Sequence, residues 1–253
     1  MMDFREIQQI LPHIHRDSAG HEAAWYVTEV LADYIQKNAK PGMKTLETGA
    51  GISTVLFAQA ETDHTSVVAS QGEVDRILNF CEDKGFPTKG LKFLVGMSEL
   101  VLPQSCPKDL DFVLIDGGHG FPTPFIDWYY SQRMLKVGGT MAVDDTQIWT
   151  GATLSRFLDG EPNWRRIDKW PYRAAVYEKA GEGSEFMDWY NQPYVHRRSL
   201  TNPKINHYLS EWSSKFVKFK NDYPTHVENL VNQVIPGATK HHPNIKRVLK
   251  KFF

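Results

Sequence analysis

The chain has little cysteine, no excess of charge of either sign, and no long apolar run. Cys81 and Cys106 are the only cysteines in 253 residues, lie far apart and form no Cys-x-x-Cys pair, so neither a disulfide framework nor a zinc site is indicated. Both are expected to be reduced thiols. The 29 basic and 30 acidic residues leave a formal charge of −1, which gives no general attraction for nucleic acid. No apolar stretch approaches the ~18 residues of a membrane span. The first ten residues carry Asp3, Arg5 and Glu6, unlike a signal peptide, so a cytoplasmic protein is expected. Repeats and low-complexity runs are also missing. What is left is a globular chain, 41% hydrophobic, long enough for one α/β core with additions at both ends.

The most informative stretch is Lys-Thr-Leu-Glu-Thr-Gly-Ala-Gly-Ile-Ser-Thr, residues 44–54. Leu46 closes a short apolar strand, Gly49 and Gly51 free the backbone for a tight turn, and Ser53 or Thr54 can cap a helix running through Val55, Leu56 and Phe57. Such a loop can be an ordinary strand-turn-helix or a cradle for a ligand. A dinucleotide site would want a third glycine where Thr54 stands, and Glu47 would repel a diphosphate. The same carboxylate would attract an ammonium group, which suits S-adenosylmethionine.

In chain order, Phe4 to Ile14 has helical spacing broken by Pro12, and Val27 to Ile35 forms a cleaner stripe ending before Pro41-Gly42. His21 and Trp25 fall one turn apart near its start and could cover a cofactor, although a packed aromatic beside a surface histidine is the commoner arrangement. From Lys44 strands and helices alternate. Strands are expected at 66–70, 91–95, 111–116 and 140–143, a helix at 74–84, and another from Thr123-Pro124 to Lys136 stopped by Gly138-Gly139. Strands at 164–168 and 174–178 finish the sheet. The expected fold is a doubly wound, Rossmann-like α/β domain with a mostly parallel seven-stranded sheet. Its domains are a helical cap at 1–40, the sheet domain at 41–180 and a helical appendage at 181–253. In that appendage Ile205, Tyr208, Leu209, Trp212 and Phe216 form one apolar face and Val227, Leu230, Val231 and Val234 another. They could pack on the domain, cover the acceptor cleft or join a second subunit. The basic helix around Ile245 to Phe252 could touch an anionic membrane, but docking on its own domain is commoner for so short a segment. Ligands of open α/β sheets bind at the carboxyl ends of the strands, which gathers Glu47, Ser70, Ser98, Asp116, Asp144 and Asp145 on one edge.

Glu-x-Gly-x-Gly resembles the first motif of class I S-adenosylmethionine-dependent methyltransferases. Leu114-Ile115-Asp116-Gly117-Gly118-His119, then Leu135-Lys136-Val137-Gly138-Gly139, then Asp144-Asp145-Thr146 is similar to the "IDG.H … GG … D" pattern of a bacterial group of them. The resemblance implies Glu47, Gly49, Gly51 and Ser53 around the methionyl end of the cofactor, Met97 and Ser98 beside the adenine, and Asp116 and His119 bordering cofactor and acceptor. The family's ribose-binding acid is replaced by Ser70-Gln71, which can still hydrogen-bond a diol more weakly. His119, with an ordinary pKa near 6.5, suits the role of general base. Asp116, Asp144 and Asp145 repel one another unless a cation or proton intervenes, and catechol and sugar O-methyltransferases hold Mg²⁺ with acids at similar strand ends. The competing arrangement sets Asp116 on the cofactor, Asp144 on a loop amide and Asp145 in solvent. The expected function is methyl transfer to oxygen of a small molecule or sugar, with nitrogen as a further acceptor. A non-catalytic module binding the cofactor or its product, and a dinucleotide-dependent oxidoreductase, are the alternatives. No nucleic-acid partner is expected, while a homo-oligomer is compatible with the spare apolar stripes.

Overall fold

The computed structural model describes residues 2–199 apart from 13, 17, 18, 24, 25, 106, 171, 172 and 184–187. Trp25, Cys106 and the apolar stripes between 205 and 252 therefore lie outside the described residues. The chain divides into a compact unit of residues 1–195 and a second unit of residues 196–253, of which only 196–199 are described.

The chain begins with α1 (Phe4–Ile10), fixed at its start by reciprocal bonds: Asp3 accepts from the Arg5 amide at 2.8 Å and Glu6 accepts from the Asp3 amide at 2.9 Å. The helix stops at Leu11, before Pro12, because a residue preceding proline is pushed out of the helical region. Two short antiparallel strands follow, β1 (His15–Arg16) and β2 (Glu22–Ala23), then α2 (Glu29–Asn38). The sheet domain runs β3 (Lys44–Thr48), α3 (Ile52–Gln59), β4 (Asp63–Val68), α4 (Gln71–Lys84), β5 (Leu91–Val95), α5 (Ser98–Val101), β6 (Leu110–Ile115), α6 (Thr123–Met134), β7 (Leu135–Val143), α7 (Trp149–Gly160), β8 (Trp164–Trp170) and β9 (Ala174–Lys179).

Strand order across the sheet is β5-β4-β3-β6-β7-β9-β8, parallel throughout except where β9 runs antiparallel to both β7 and β8. Alternation along each strand divides the core. Phe112, Leu114 and Ala142 face a layer with α1 to α4, whereas Val113, Ile115, Met141 and Val143 face one with Trp128 and Met134 of α6 and Leu154 and Leu158 of α7. α3 is buried from Ile52 to Ala58, which explains why its sequence is apolar almost all round. The chain winds outward from β3 through β4 to β5, then returns to the other side of β3 with β6. This reversal opens a crevice between the carboxyl ends of β3 and β6.

One sequence expectation is corrected here. Gly138-Gly139 does not stop α6, which ends at Met134. Both glycines lie within β7, where pairing with β6 jumps from Leu110–Leu135 to Phe112–Thr140. The intervening residues bulge, and Gly138 takes φ +82° to make that possible. The second strand also starts earlier than expected, at Asp63 rather than 66, because His64 and Ser66 are buried polar residues whose partners sequence does not reveal.

Gly49 is where the fold holds the crevice together. Its φ is +93°, its amide donates to the Val67 carbonyl at 2.9 Å, and a Cβ there would lie 2.3 Å from the Asp116 carbonyl oxygen. Two loops thus meet backbone to backbone. Gly49→Ala should cost roughly 2 kcal/mol or more, from left-handed strain and the forced separation of β3 from β6. Urea unfolding would register this as a lower midpoint at unchanged slope. An unaltered midpoint would show that the two loops can part freely.

Candidate functional site

Glu47 occupies the carboxyl half of β3 and is fully buried. Ser53 donates to one of its oxygens at 2.6 Å, Thr54 donates to the other, and His64 Nε2 lies 3.0 Å from that second oxygen. The Thr54 hydroxyl also accepts the Gly51 amide at 3.0 Å. Thr54 therefore ties the glycine turn to the strand, a task no glycine could perform. Protons can be followed further: Thr62 donates to the Phe57 carbonyl at 3.1 Å and Thr45 donates to Thr62 at 3.2 Å. Thr45 has then spent its proton, so His64 Nδ1, 2.7 Å away, must be the donor to it. Phe57 stacks on the imidazole with centroids 4.5 Å apart. Glu47, expected to face an ammonium group, and Ser53, expected beside it, are thus engaged with each other inside the protein.

At the end of β6, Asp116 enters the crevice, followed by Gly117, Gly118 and His119. A Cβ on Gly117 would lie 3.1 Å from Asp127 Oδ2 and 3.2 Å from Thr48 Oγ1, so bare backbone again lets elements converge. At the end of β7, Asp144 and Asp145 diverge. Asp144 is buried and accepts the Thr28 amide at 3.1 Å. Asp145, with φ +50°, turns outward and meets His119 Nε2 at 3.0 Å. Single ligand atoms of Asp116, His119 and Asp145 all lie within 4.8 Å of one another. Among the described residues it is His119 that joins Asp116 and Asp145 in this cluster, while Asp144, leaving the strand on the opposite side, turns to the Thr28 amide. The loop-amide role for Asp144 is what the geometry has; the solvent role for Asp145 is not.

The electrostatics follow from this crowding. Burial, reinforced by Asp144, Asp145 and Glu47, pushes the Asp116 carboxyl well above its ordinary range. Asp144 is pushed up to about 6, chiefly by burial, with the Asp145 and Thr28 amides opposing. The hydrogen bond from His119 holds Asp145 below its usual value, and the same bond raises His119 above 6.5 against the effect of burial.

The cofactor-edge residues are spread along the rim. Met97, at the end of β5, is 52% exposed, and Ser98 is buried near Asp127. Ser70 and Gln71 are exposed at the start of α4, with Gln71 bonded to Asp75 at 2.9 Å. His21 is exposed.

Asp127 was missed in the sequence. It is fully buried on α6, and both its oxygens lack a hydrogen bond of regular geometry, although the nearby Ser98 and Thr48 hydroxyls offset part of the burial that lifts it to about 6. A signal existed: Pro124, Asp127 and Ser131 fall on one helical face, so Asp127 sits in the buried stripe of α6.

Residues 46–146 match the family profile described as a methyltransferase domain. With the strand order, the switch-point crevice and the glycine loop, residues 46–146 are similar to a methyltransferase domain of Rossmann-like fold. Among solved structures it is similar to TomG, an O-methyltransferase of Streptomyces achromogenes involved in tomaymycin synthesis and seen in complex with S-adenosylmethionine. That likeness has TM-score 0.55 and 14% identity, over 70% of this chain and 90% of that one. A Staphylococcus aureus protein provisionally described as a caffeoyl-CoA O-methyltransferase has TM-score 0.53 and 15% identity, over 61% and 85%. Cofactor-bound Rv0187 from MTB has TM-score 0.54 and 14% identity, over 63% and 84%. Identities this low speak for the fold. No curated protein matches the sequence.

Asp127 generates a test. Its folded pKa of about 6 lies above its unfolded value near 3.8, so the native state holds the extra proton. The cost of ionising it is absent at low pH, grows as pH rises through that window and reaches about 3 kcal/mol above it. Asp127→Asn should therefore gain stability relative to the parent as pH rises from about 4 to about 6, and keep that gain at higher pH, in urea unfolding. A pH-independent difference would mean that burial does not raise Asp127 and that its folded and unfolded values are alike.

Proposed function

We propose that this chain methylates a hydroxyl oxygen of a small-molecule acceptor, with His119 as general base and Asp145 as the group that orients it. The observation that carries this reading is the 3.0 Å His119–Asp145 contact at the mouth of the switch-point crevice, beside Asp116. Asp145 accepts from Nε2–H, leaving Nδ1 to take the acceptor's proton; the same bond that raises the pKa of His119 makes it the stronger base. Bound S-adenosylmethionine supplies an electrophilic methyl on a sulfonium. The residues fit that group: the backbone of 48–51 lies at the crevice, Met97 offers apolar surface for a purine, and Ser70 and Gln71 offer hydroxyl and amide for a diol. Glu47 works one step back, holding the loop through Ser53 and Thr54. Asp116, crowded by acids and without a cation of its own among the ion pairs of the described residues, favours a positively charged ligand.

A second reading is favoured by the cluster of Asp116, His119 and Asp145 ligand atoms. A divalent ion held there would neutralise the crowded acids and supply Lewis acidity at the acceptor oxygen. Two carboxylates and an imidazole suit a first-row transition ion better than the expected Mg²⁺, which prefers oxygen alone. A cofactor-binding module without turnover is the non-enzymatic counterpart of both readings, and consumption of the cofactor with an acceptor present separates it from them.

Turnover followed by mass spectrometry should fall about 10²–10⁴-fold in His119→Ala, while calorimetry gives unchanged affinity for S-adenosylhomocysteine. The working base is neutral imidazole, so the rate should drop as pH falls through a value above 6.5, and Asp145→Asn should move that limb to lower pH. Chelators should leave the rate unchanged. Loss on chelation with recovery on adding Mn²⁺ would replace the base mechanism by the metal one.

A further inference from the structure

Phe121 and Trp149 are among the most exposed large apolar side chains of the described residues, at 70% and 64%. They are not scattered. Their ring centroids lie 6.2 Å apart, and Phe125 adds a third ring 6.3 Å from Phe121. Phe121 sits two residues past His119 on the β6–α6 loop, and Trp149 four residues past Asp145 at the start of α7. The pair of rings thus bridges the same two loops that the His119–Asp145 contact bridges. Thr150 ties the loops together by donating its hydroxyl to the His119 carbonyl, while the Ile148 amide donates to the Asp145 carbonyl at 2.9 Å and a Cβ on Gly151 would lie 2.8 Å from that carbonyl, which keeps the second loop compact. Holding two aromatic rings in water leaves unclaimed about 1.5–3 kcal/mol of burial for each. The fold does not need them there, since nothing in either core layer depends on them.

Chemistry narrows what they meet. Residues 120–126 and 146–152 carry no charged side chain, so the wall offers nothing to a phosphate or carboxylate. Its polar side chains are Thr123, Thr146, Gln147 and Thr150, of which Gln147 is bound to Asp145 and Thr150 to the His119 carbonyl, leaving too few to pair with a sugar's ring of hydroxyls. A flat apolar ring satisfies it, stacking offset or edge-on against Phe121 and Trp149.

We propose that Phe121 and Trp149 form the acceptor platform and that the acceptor is a planar aromatic compound bearing a hydroxyl, its ring on this wall and its oxygen towards His119. This rests on the oxygen-methylation reading above. The step balances: a hydroxyl oxygen lone pair forms the new O–C bond, the S–C bond breaks with its electrons left on a neutral thioether sulfur, and the hydroxyl proton passes to His119. Phe121 and Trp149 are specificity residues and take no part in the bond changes.

Calorimetry on the full chain saturated with S-adenosylhomocysteine, titrated with catechol, naphthol and methyl glucoside, tests the platform separately from the chemistry. The aromatic hydroxyl compounds should bind, and methyl glucoside should bind at least ten times more weakly. Phe121→Ala and Trp149→Ala should each weaken aromatic binding about 10-fold or more without changing S-adenosylhomocysteine affinity, and Trp149→Phe should restore most of it. With S-adenosylmethionine, the alanine variants should raise KM for the aromatic acceptor far more than they lower kcat. Tighter binding of methyl glucoside, no binding of either aromatic, or equal aromatic binding in parent and alanine variants would overturn the platform. Aromatic binding that responds to the variants but yields no methylated product would uphold the platform and sink the oxygen-methylation reading instead.

Discussion

Everything at the working edge of this sheet is governed by negative charge. A doubly wound sheet sends its strand ends to one side, and here Glu47, Asp116, Asp144 and Asp145 arrive there together, with Asp127 close beneath. So many carboxylates cannot all be ionised, dry and unpaired. Each is disposed of differently. Glu47 is given a buried histidine and two hydroxyls, and Asp145 a half-exposed histidine. Asp127 and Asp144 are raised to about 6 and stay neutral more readily than ordinary acids. Asp116 is the remainder, beside the glycine loop, held well above the ordinary carboxyl range by burial and its acid neighbours, so that a cation placed there would ease its ionisation. A sulfonium cofactor is such a cation.

The buried Glu47 network shows how a motif can be right in position and misleading in direction. Glu-x-Gly-x-Gly locates the loop, but which way the carboxylate turns depends on His64, seventeen residues later in a neighbouring strand. Ser53 and Thr54 supply the local half of that direction, and His64 the half the motif does not contain. Such a pair is poor value as stability and better understood as specification: either partner alone would leave an uncompensated buried group, so β3, β4 and the start of α3 are held in one arrangement.

Period and punctuation made much of the fold readable. The alternation of strands and helices from Lys44 onward follows from periodicity and turn residues, which act locally, whereas the antiparallel end of the sheet was expected only from the family resemblance. Gly138-Gly139 misled because two glycines after a helix pattern read as a stop, whereas a bulge inside a strand needs glycine for the same backbone freedom. At the site, Asp116 and His119 were legible because both follow one strand within four residues. The turning of Asp144 away from them was not, since it depends on the alternating directions of consecutive side chains and on Thr28, more than a hundred residues away. Asp127 was hidden by the habit of reading acids on helices as surface.

Thr28 also changes how the first forty residues should be regarded. In sequence they look like an accessory added ahead of the cofactor loop. In the molecule, Leu31, Ala32 and Ile35 of α2 are wholly buried in the core layer that contains α3, and the amide just before that helix closes over Asp144. A fragment begun at the glycine loop would lose part of its core and open the floor of its own crevice to water. The N-terminal helices are therefore part of the sheet domain's own core, and domain swaps or fusions that preserve only the recognisable motifs would transplant an incomplete fold.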